Sequence, residues 1–167
     1  MGEDSREPGD SRRRGRRGAV ELSPIQRAVG LLSRREHSRL ELTRKLCERG
    51  LAADEVEAAV EKLATDGWQD DARFARFLLR SRVSGGYGPI RIRAELATHG
   101  LDREAISLAL AEFDGDWAEN ARELVLRRYG PDVAANPALH RKAAGFLLRR
   151  GFDGDCVRSA TRPASEG

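Results

Sequence analysis

Three stretches of the sequence decide the fold: KLCERGL at residues 45–51, ELATHGL at residues 95–101 and GFLLRRGF at residues 145–152. In each stretch, a run of helix-forming residues ends at a glycine that is followed by a large apolar residue. This pattern is typical of a helix that ends in a left-handed glycine cap, with the next residue packing back onto the helix. Because the glycines recur at positions 50, 100 and 151, the pattern predicts an internal repeat.

The repeat continues on both sides of each glycine. Apolar residues recur six and nine positions after it, at Val56 and Ala59, at Ile106 and Ala109, and at Val157 and Ala160. Upstream, the pattern Ala-x-x-Leu followed by Leu or Val begins at Ala28, Ala75 and Ala121. No segment alternates with the two-residue period of a strand. The sequence therefore predicts an all-α fold of three tandem three-helix repeats, stacked into an elongated array, straight or curved.

We place the three repeats at residues 23–69, 70–115 and 116–162. Residues 1–22 are rich in Gly, Ser and Arg, with almost nothing to bury, so we expect a disordered basic arm. Residues 163–167 are expected to form a disordered tail.

Capping residues agree with these helices. Ser23 precedes Pro24 as an N-cap, and Ser38 with Glu41 has the pattern of a capping box. Asp102 and Asp153 are N-caps at matching positions of the second and third repeats. Asp70 and Asp71 stand where the next helix starts, so we interpret them as an N-cap pair and not as an acid–base couple.

The composition argues against an enzyme. The two cysteines and three histidines form no disulfide framework and have no metal-ligand spacing. The glycine-rich run at residues 85–88 lacks the Lys-Ser/Thr of a phosphate-binding loop, and we interpret it as a flexible interhelical loop. We predict no catalytic residue, no cofactor and no metal. The apolar stretches are too short to span a bilayer and no signal peptide is evident, so we expect a cytoplasmic protein without membrane contact.

Charge placement is more informative than the net charge of +3. The predicted helices at 24–35, 71–84 and 137–150 are basic, and those at 53–66 and 102–114 are acidic. A stacked array would then have a basic flank and an acidic flank. Arginines near helix C-termini can simply complement the helix dipole. That explanation fails for Arg73, Arg76, Arg91 and Arg93, which lie near helix starts, so we favour a footprint for a polyanion or an acidic groove.

Several segments resemble the signatures of the RecX family of bacterial recombination regulators. Its N-terminal signature is similar to LSRREHSRLEL at 32–42, and its C-terminal motif is similar to FLLRRGF at 146–152. Its central signature is similar to DARFA at 71–75 together with Arg82 and GPIRIRAEL at 88–96. The resemblance implies tandem three-helix repeats and a non-enzymatic modulator of RecA in recombination, DNA repair and the SOS response. Such a protein binds the RecA–single-stranded DNA filament in its groove and mainly inhibits its recombinase, ATPase and coprotease activities.

Within these motifs, Phe74, Ala75, Ile90, Ile92 and Leu96 have the spacing of core residues. The remaining candidates for contact with the filament are Arg34, Arg35, Arg39, Arg73, Arg76, Arg82, Tyr87, Arg91 and Arg93. Arginine forks suit the carboxylates and phosphates that such a groove offers. We expect a monomer whose partner is the RecA filament, with direct contact to single- or double-stranded DNA left open. The alternatives are a DNA-binding helical-repeat protein without a RecA partner and a scaffold for an unrelated acidic protein.

Overall fold

A computed structural model describes residues 21–162. The predicted tail and all but the last two residues of the predicted arm lie outside this range. Within it, the chain forms nine α-helices, one 3-10 turn at Pro131–Val133 and no strand, which confirms the all-α prediction. The helices are α1 Pro24–Leu32, α2 Arg39–Glu48, α3 Ala53–Thr65, α4 Asp71–Ser84, α5 Pro89–Thr98, α6 Arg103–Ala111, α7 Trp117–Tyr129, α8 Pro137–Arg150 and α9 Gly154–Thr161.

Each consecutive set of three helices encloses its own hydrophobic cluster. Leu42 and Leu46 are central to the cluster of α1–α3, Phe74 to that of α4–α6, and Phe152 to that of α7–α9. The first and third helices of each set pack against each other. Trp117 contacts both the second and the third cluster and so connects them. We call these three helix sets the first, second and third units.

Burial confirms the repeat. Ala28, Ala75 and Ala121 are all 0% exposed, in the first helix of each unit, which packs on the other two. The other aligned positions are buried as well, except Leu32 and Leu51, which are partly buried. The same apolar spacing therefore builds the same small core three times.

The three glycine caps are also confirmed. Gly50, Gly100 and Gly151 have φ angles of +84°, +83° and +87°, a region in which an L-residue with a Cβ is strained. After α8, the N–H groups of Gly151 and Phe152 donate to Leu148 O and Leu147 O at 3.0 and 3.1 Å. These bonds satisfy carbonyls that the end of the helix leaves unpaired.

All but one of the predicted N-caps form; the exception is Asp71, the first residue of α4, whose carboxylate accepts instead from the N–H of Arg39 at 2.8 Å. The side chains of Ser23, Asp70, Asp102 and Asp153 accept hydrogen bonds from the first turns of their helices, and Ser23 forms a capping box with Gln26. Ser38 accepts from the N–H of Glu41, but the Glu41 carboxylate bonds Arg35 and Lys45 instead of the Ser38 backbone. The capping box predicted there is therefore wrong.

The middle helices of the three units lie end to end. The N–H groups of Gly88 and Ile90, at the start of α5, donate to Arg150 O and Gly151 O at the end of α8, at 2.8 and 3.0 Å. The end of α5 meets the start of α2 in the same sense, where the Ser38 hydroxyl lies 3.1 Å from His99 Nδ1. Each joint brings a helix N-terminus to the C-terminus of the next unit's helix, so the dipoles align favourably.

Two details of the second unit correct the sequence analysis. Ile90 is 56% exposed, because residues two apart on a helix face opposite sides and Ile92 already faces the core. The run at residues 85–88 is packed and not a flexible loop. Gly86 has φ +77° and a Cβ there would lie 2.7 Å from Leu124, while a Cβ on Gly88 would lie 2.4 Å from Gly151 O.

Candidate functional site

Five of the nine candidate contact residues already bind carboxylates of the same chain. The pairs are Arg35 with Glu41, Arg39 with Glu61, Arg73 with Glu36, Arg76 with Glu112 and Arg82 with Glu95. Two of these pairs join an arginine of a first or second helix to an acid in or directly after a third helix. At these points the predicted basic and acidic flanks therefore meet.

Arg73 has a structural reason for its position near the start of α4. Its guanidinium donates to Gly67 O at 2.8 Å, to Trp68 O at 2.9 Å and to Glu36 Oε1 at 3.0 Å. It thereby holds the end of α3 and the turn after α1 against α4. Arg73 therefore has structural partners, two of them close in sequence and one 37 residues away, so its position near a helix start does not by itself indicate a partner-binding role.

Arg35 belongs to a polar cluster beneath the turn between α1 and α2. Burial raises the pKa of Glu41, but hydrogen bonds from Arg35 and Lys45 outweigh it and lower that pKa to about 2. Burial lowers the pKa of His37, whose Nδ1 lies 3.0 Å from Arg35 O and whose Nε2 lies 3.1 Å from Lys45 Nζ. A neutral His37 satisfies both contacts by donating from Nδ1 and accepting at Nε2.

Arg82 and Glu95 form a two-pronged pair between α4 and α5. Arg82 Nε donates to Glu95 Oε2 at 2.7 Å and Nη2 donates to the other carboxylate oxygen at 2.5 Å. This hydrogen bonding raises the pKa of Arg82 and lowers the pKa of Glu95. With both groups charged and satisfied by each other, Arg82 is poorly placed to bind a partner.

Three arginine candidates do not pair with a carboxylate of the described chain. Arg34, Arg91 and Arg93 are exposed and form no ion pair with any described carboxylate. Arg93 reaches only the Ser107 hydroxyl, at 3.4 Å. Arg91 lies at the joint between the second and third units, where its guanidinium is 4.9 Å from the centre of the Tyr87 ring.

Arg91 is one end of a stack of guanidinium groups and aromatic rings. The guanidinium of Arg150 lies 4.7 Å from the centre of the Tyr87 ring and 5.1 Å from the centre of the Phe146 ring. The guanidinium of Arg128 lies 4.8 Å from the centre of the same Phe146 ring. We call Tyr87, Arg91, Arg128, Phe146 and Arg150 the arginine–aromatic cluster. None of its three arginines forms an ion pair within residues 21–162.

The stacking prepares these arginines for binding an anion. A guanidinium that lies over a ring uses its face, and its N–H donors remain directed outward in the plane of the group. Arg150 spends one donor on Gly85 O at 2.9 Å, and no side-chain hydrogen bond within the described chain occupies Arg91 or Arg128. The cluster can therefore present paired donors to a phosphate or a carboxylate with little loss of side-chain freedom.

Sequence reasoning found Tyr87 and Arg91 but missed Arg128, Phe146 and Arg150. The last two stand in the repeated cap segment at residues 145–152, where only the glycine and apolar positions were informative. Tyr87 and Arg150, 63 positions apart in the sequence, are brought together by the joint between α5 and α8. No local signal could have shown that contact.

Other chemistry has little support among the described residues. Cys156 is buried, which raises the pKa of its thiol to about 11, and Cys47 is partly buried against the first cluster. Across residues 21–162 no group of three or more His, Cys, Asp or Glu side chains is arranged to hold a metal ion. None of the helices described combines the length and apolar character that crossing a membrane requires.

Comparison with family models gives three matches in chain order. The model of the first three-helix domain of RecX matches residues 25–63, that of the second matches residues 70–110, and that of the third matches residues 114–161. Each match spans one of the units described above.

Individual relatives agree. "Regulatory protein RecX" of Xanthomonas oryzae pv. oryzae (strain MAFF 311018) is 59% identical over 150 residues, covering 90% of this chain and 93% of the relative. The protein of the same name from Stenotrophomonas maltophilia (strain R551-3) is 61% identical over 142 residues, covering 85% and 87%. The crystal structure of RecX from Lactobacillus salivarius has the same fold, with a TM-score of 0.67 at 22% identity over 82% of this chain and 91% of that one.

Proposed function

Because this chain belongs to the RecX family, we propose that it is a regulator that binds the RecA–single-stranded DNA filament and mainly inhibits its recombinase, ATPase and coprotease activities. A regulatory role is the function that its relatives at 57–61% identity carry in their names. The protein acts by binding and without catalysis, in the cytoplasm where such filaments form.

The arginine–aromatic cluster is the observation that carries this proposal. Three arginines without carboxylate partners are fixed at one joint of the array, while most arginines of the first unit and of α4 are used internally. A groove between recombinase subunits on DNA offers carboxylates and phosphates close together. Preoriented guanidinium groups can bind either anion with two hydrogen bonds.

Arg34 and Arg93 remain separate candidates for filament contact, since both are exposed and free of carboxylates within the described chain. Arg35, Arg39, Arg73, Arg76 and Arg82 are assigned to holding the protein's own structure. The arginine candidates are thus divided into those whose guanidinium already pairs with a carboxylate of the same chain and those whose guanidinium does not.

Binding of a double variant, Arg91→Gln with Arg128→Gln, tests the surface. Glutamine keeps most of each side chain's length and removes the charge, so the fold should persist. We expect weaker binding to RecA–single-stranded DNA filaments, measured by fluorescence anisotropy over a salt series. If both arginines contact phosphates of single-stranded DNA, the slope of log K against log salt should fall by about 0.7 for each.

The matched control is Arg76→Gln with Arg122→Gln. These two arginines are also partly or largely exposed, but each pairs with a carboxylate, Glu112 and Glu119. The control should bind filaments like the parent. Equal losses in both double variants would contradict the assignment of the surface, and equal affinity of the parent for bare DNA and for filaments would favour the DNA-binding alternative.

A further inference from the structure

A groove leads from the arginine–aromatic cluster along α5. It has a volume of about 520 Å³. Its lining residues are Arg82, Tyr87, Arg91, Ala94, Glu95 and Thr98. Tyr87 and Arg91 belong to both the groove and the cluster, so the two are continuous. Ala94 and Thr98 are small and exposed, and they leave space for another chain on this side of α5.

The positive charge of the groove is confined to its cluster end. There Arg91 forms no ion pair within residues 21–162, and Arg150 lies on the same tyrosine ring. About 6 Å along α5, Arg82 and Glu95 neutralise each other. Hydrogen bonding from Arg82 outweighs burial and lowers the pKa of Glu95, and nearby Arg91 and His99 act in the same direction. Glu95 is therefore a carboxylate when a partner enters the groove.

Hydrogen-bond donors and acceptors are separated along the groove in the same way. At the cluster end, no hydrogen bond within the described chain occupies the Arg91 guanidinium or the Tyr87 hydroxyl. Further along, each Glu95 oxygen accepts one bond from Arg82 and keeps a second lone pair. The Thr98 hydroxyl gives its proton to Glu95 O at 2.7 Å, so its oxygen is left to accept. A partner must therefore bring acceptors to one end and donors to the other.

A DNA strand does not fit this pattern. Its sugar–phosphate backbone has no hydrogen-bond donor and carries a negative charge about every 3.4 Å. A strand held along the groove by Arg91 would place further phosphates beside the Glu95 carboxylate, where like charges repel. An extended peptide fits, because its N–H and C=O groups alternate and its side chains two residues apart lie about 7 Å apart on one face. An acidic side chain on Arg91 therefore brings the following N–H groups to Glu95.

We propose that the groove binds an extended peptide segment of the recombinase, whose acidic side chain lies on the arginine–aromatic cluster and whose N–H groups donate to Glu95 and Thr98. This contact rests on the proposed function, and it makes protein, and not DNA, the part of the filament that the cluster binds. The acidic side chain gives Arg91 and Arg150 the carboxylate partner that the described chain does not supply.

Filling the groove tests whether a partner enters it. Ala94→Trp adds a large side chain at an exposed helix position without changing the charge, so the fold should persist, which circular dichroism checks. The affinity for RecA–single-stranded DNA filaments, measured by fluorescence anisotropy, should fall about tenfold or more. The matched control is Ala58→Trp, at an exposed position of α3, which should bind filaments like the parent. Equal filament affinities of Ala94→Trp and the parent would overturn the proposal.

Photo-crosslinking identifies which part of the filament lies in the groove. The photoreactive residue p-benzoylphenylalanine replaces Thr98, and the protein is irradiated with filaments assembled on fluorescent single-stranded DNA. We expect a covalent adduct with the RecA polypeptide that carries no DNA fluorescence on a denaturing gel. The same photoreactive residue in place of Ala58 should give no such adduct.

Crosslinking from position 98 to the fluorescent DNA would overturn the peptide assignment. A RecA adduct whose yield from position 98 does not exceed that from position 58 would overturn it as well. Both results leave the proposed function standing, because the protein still binds the filament. A parent that does not bind filaments at all would instead contradict the proposed function, and this contact with it.

Discussion

Alanine at three glycines separates backbone strain from steric conflict at the joint between the second and third units. Gly50 and Gly151 have nearly the same positive φ, but only a Cβ on Gly151 would collide with the start of α5. Gly88 has φ −90°, and a Cβ there would lie 2.4 Å from Gly151 O. Gly50→Ala therefore introduces strain alone, Gly88→Ala introduces a collision alone, and Gly151→Ala introduces both.

The expected magnitudes follow from these contacts. Left-handed alanine costs about 1–2 kcal/mol, which is the expected loss for Gly50→Ala. Forcing a methyl group into a packed contact costs about 1–3 kcal/mol, the expected loss for Gly88→Ala. Gly151→Ala should lose roughly the sum, about 2–5 kcal/mol. Alanine also lowers the conformational entropy of the unfolded chain relative to glycine, which stabilises all three variants by a similar amount. The differences in stability between the variants therefore remain.

Urea unfolding followed by circular dichroism measures these losses directly. The midpoint should fall least for Gly50→Ala and most for Gly151→Ala. In thermal unfolding, the extra 1–3 kcal/mol at Gly151 corresponds to roughly 2–12 °C between these two variants. If Gly151→Ala and Gly50→Ala unfold at the same urea concentration, the packed joint between α8 and α5 is refuted.

Three further predictions concern stability and shape. The pKa of Glu41 is lowered from 4.5 to about 2, so the ionised carboxylate stabilises the fold by up to about 3 kcal/mol above pH 5. This stabilisation is lost as pH falls toward 2. Urea unfolding of the parent at a series of pH values should show that loss, and the free energy of unfolding of Glu41→Gln should depend less on pH. Arg73→Ala should cost about 1–2 kcal/mol through its lost hydrogen bonds, whereas Arg34→Ala should cost under about 0.5 kcal/mol; equal costs would contradict the structural role of Arg73. Small-angle X-ray scattering should give a radius of gyration above the compact value of about 15 Å, and a compact value would contradict an elongated array.

The repeat was predictable because its signals are local. A glycine with positive φ and a buried alanine in the first helix each depend on a few neighbouring residues and recur in all three units, and an N-cap aspartate before the third helix recurs in two of them. The burial of Ile90 was mispredicted because its residue type was weighed without its place in the helical period. Its apolar character suggested the core, but the helical period places it opposite Ile92.

The candidate surface was less predictable because ion pairing depends on long-range contacts. Arg73 and Arg76 seemed unexplained near the start of α4, yet Glu36 and Glu112 reach them from segments 37 and 36 residues away. The same folding brings Arg150 onto Tyr87. An arginine's availability to a partner follows from which acids and rings the fold places beside it, and the sequence alone does not state this.

RecA-dependent ATP hydrolysis on single-stranded DNA, followed as the protein is added, tests the proposed inhibition of the filament through the arginine–aromatic cluster. Hydrolysis should decline with the parent and with Arg76→Gln/Arg122→Gln, whereas Arg91→Gln/Arg128→Gln should need a higher concentration for the same decline. Hydrolysis that is unchanged by the parent, or that both double variants reduce as strongly as the parent does, would contradict it.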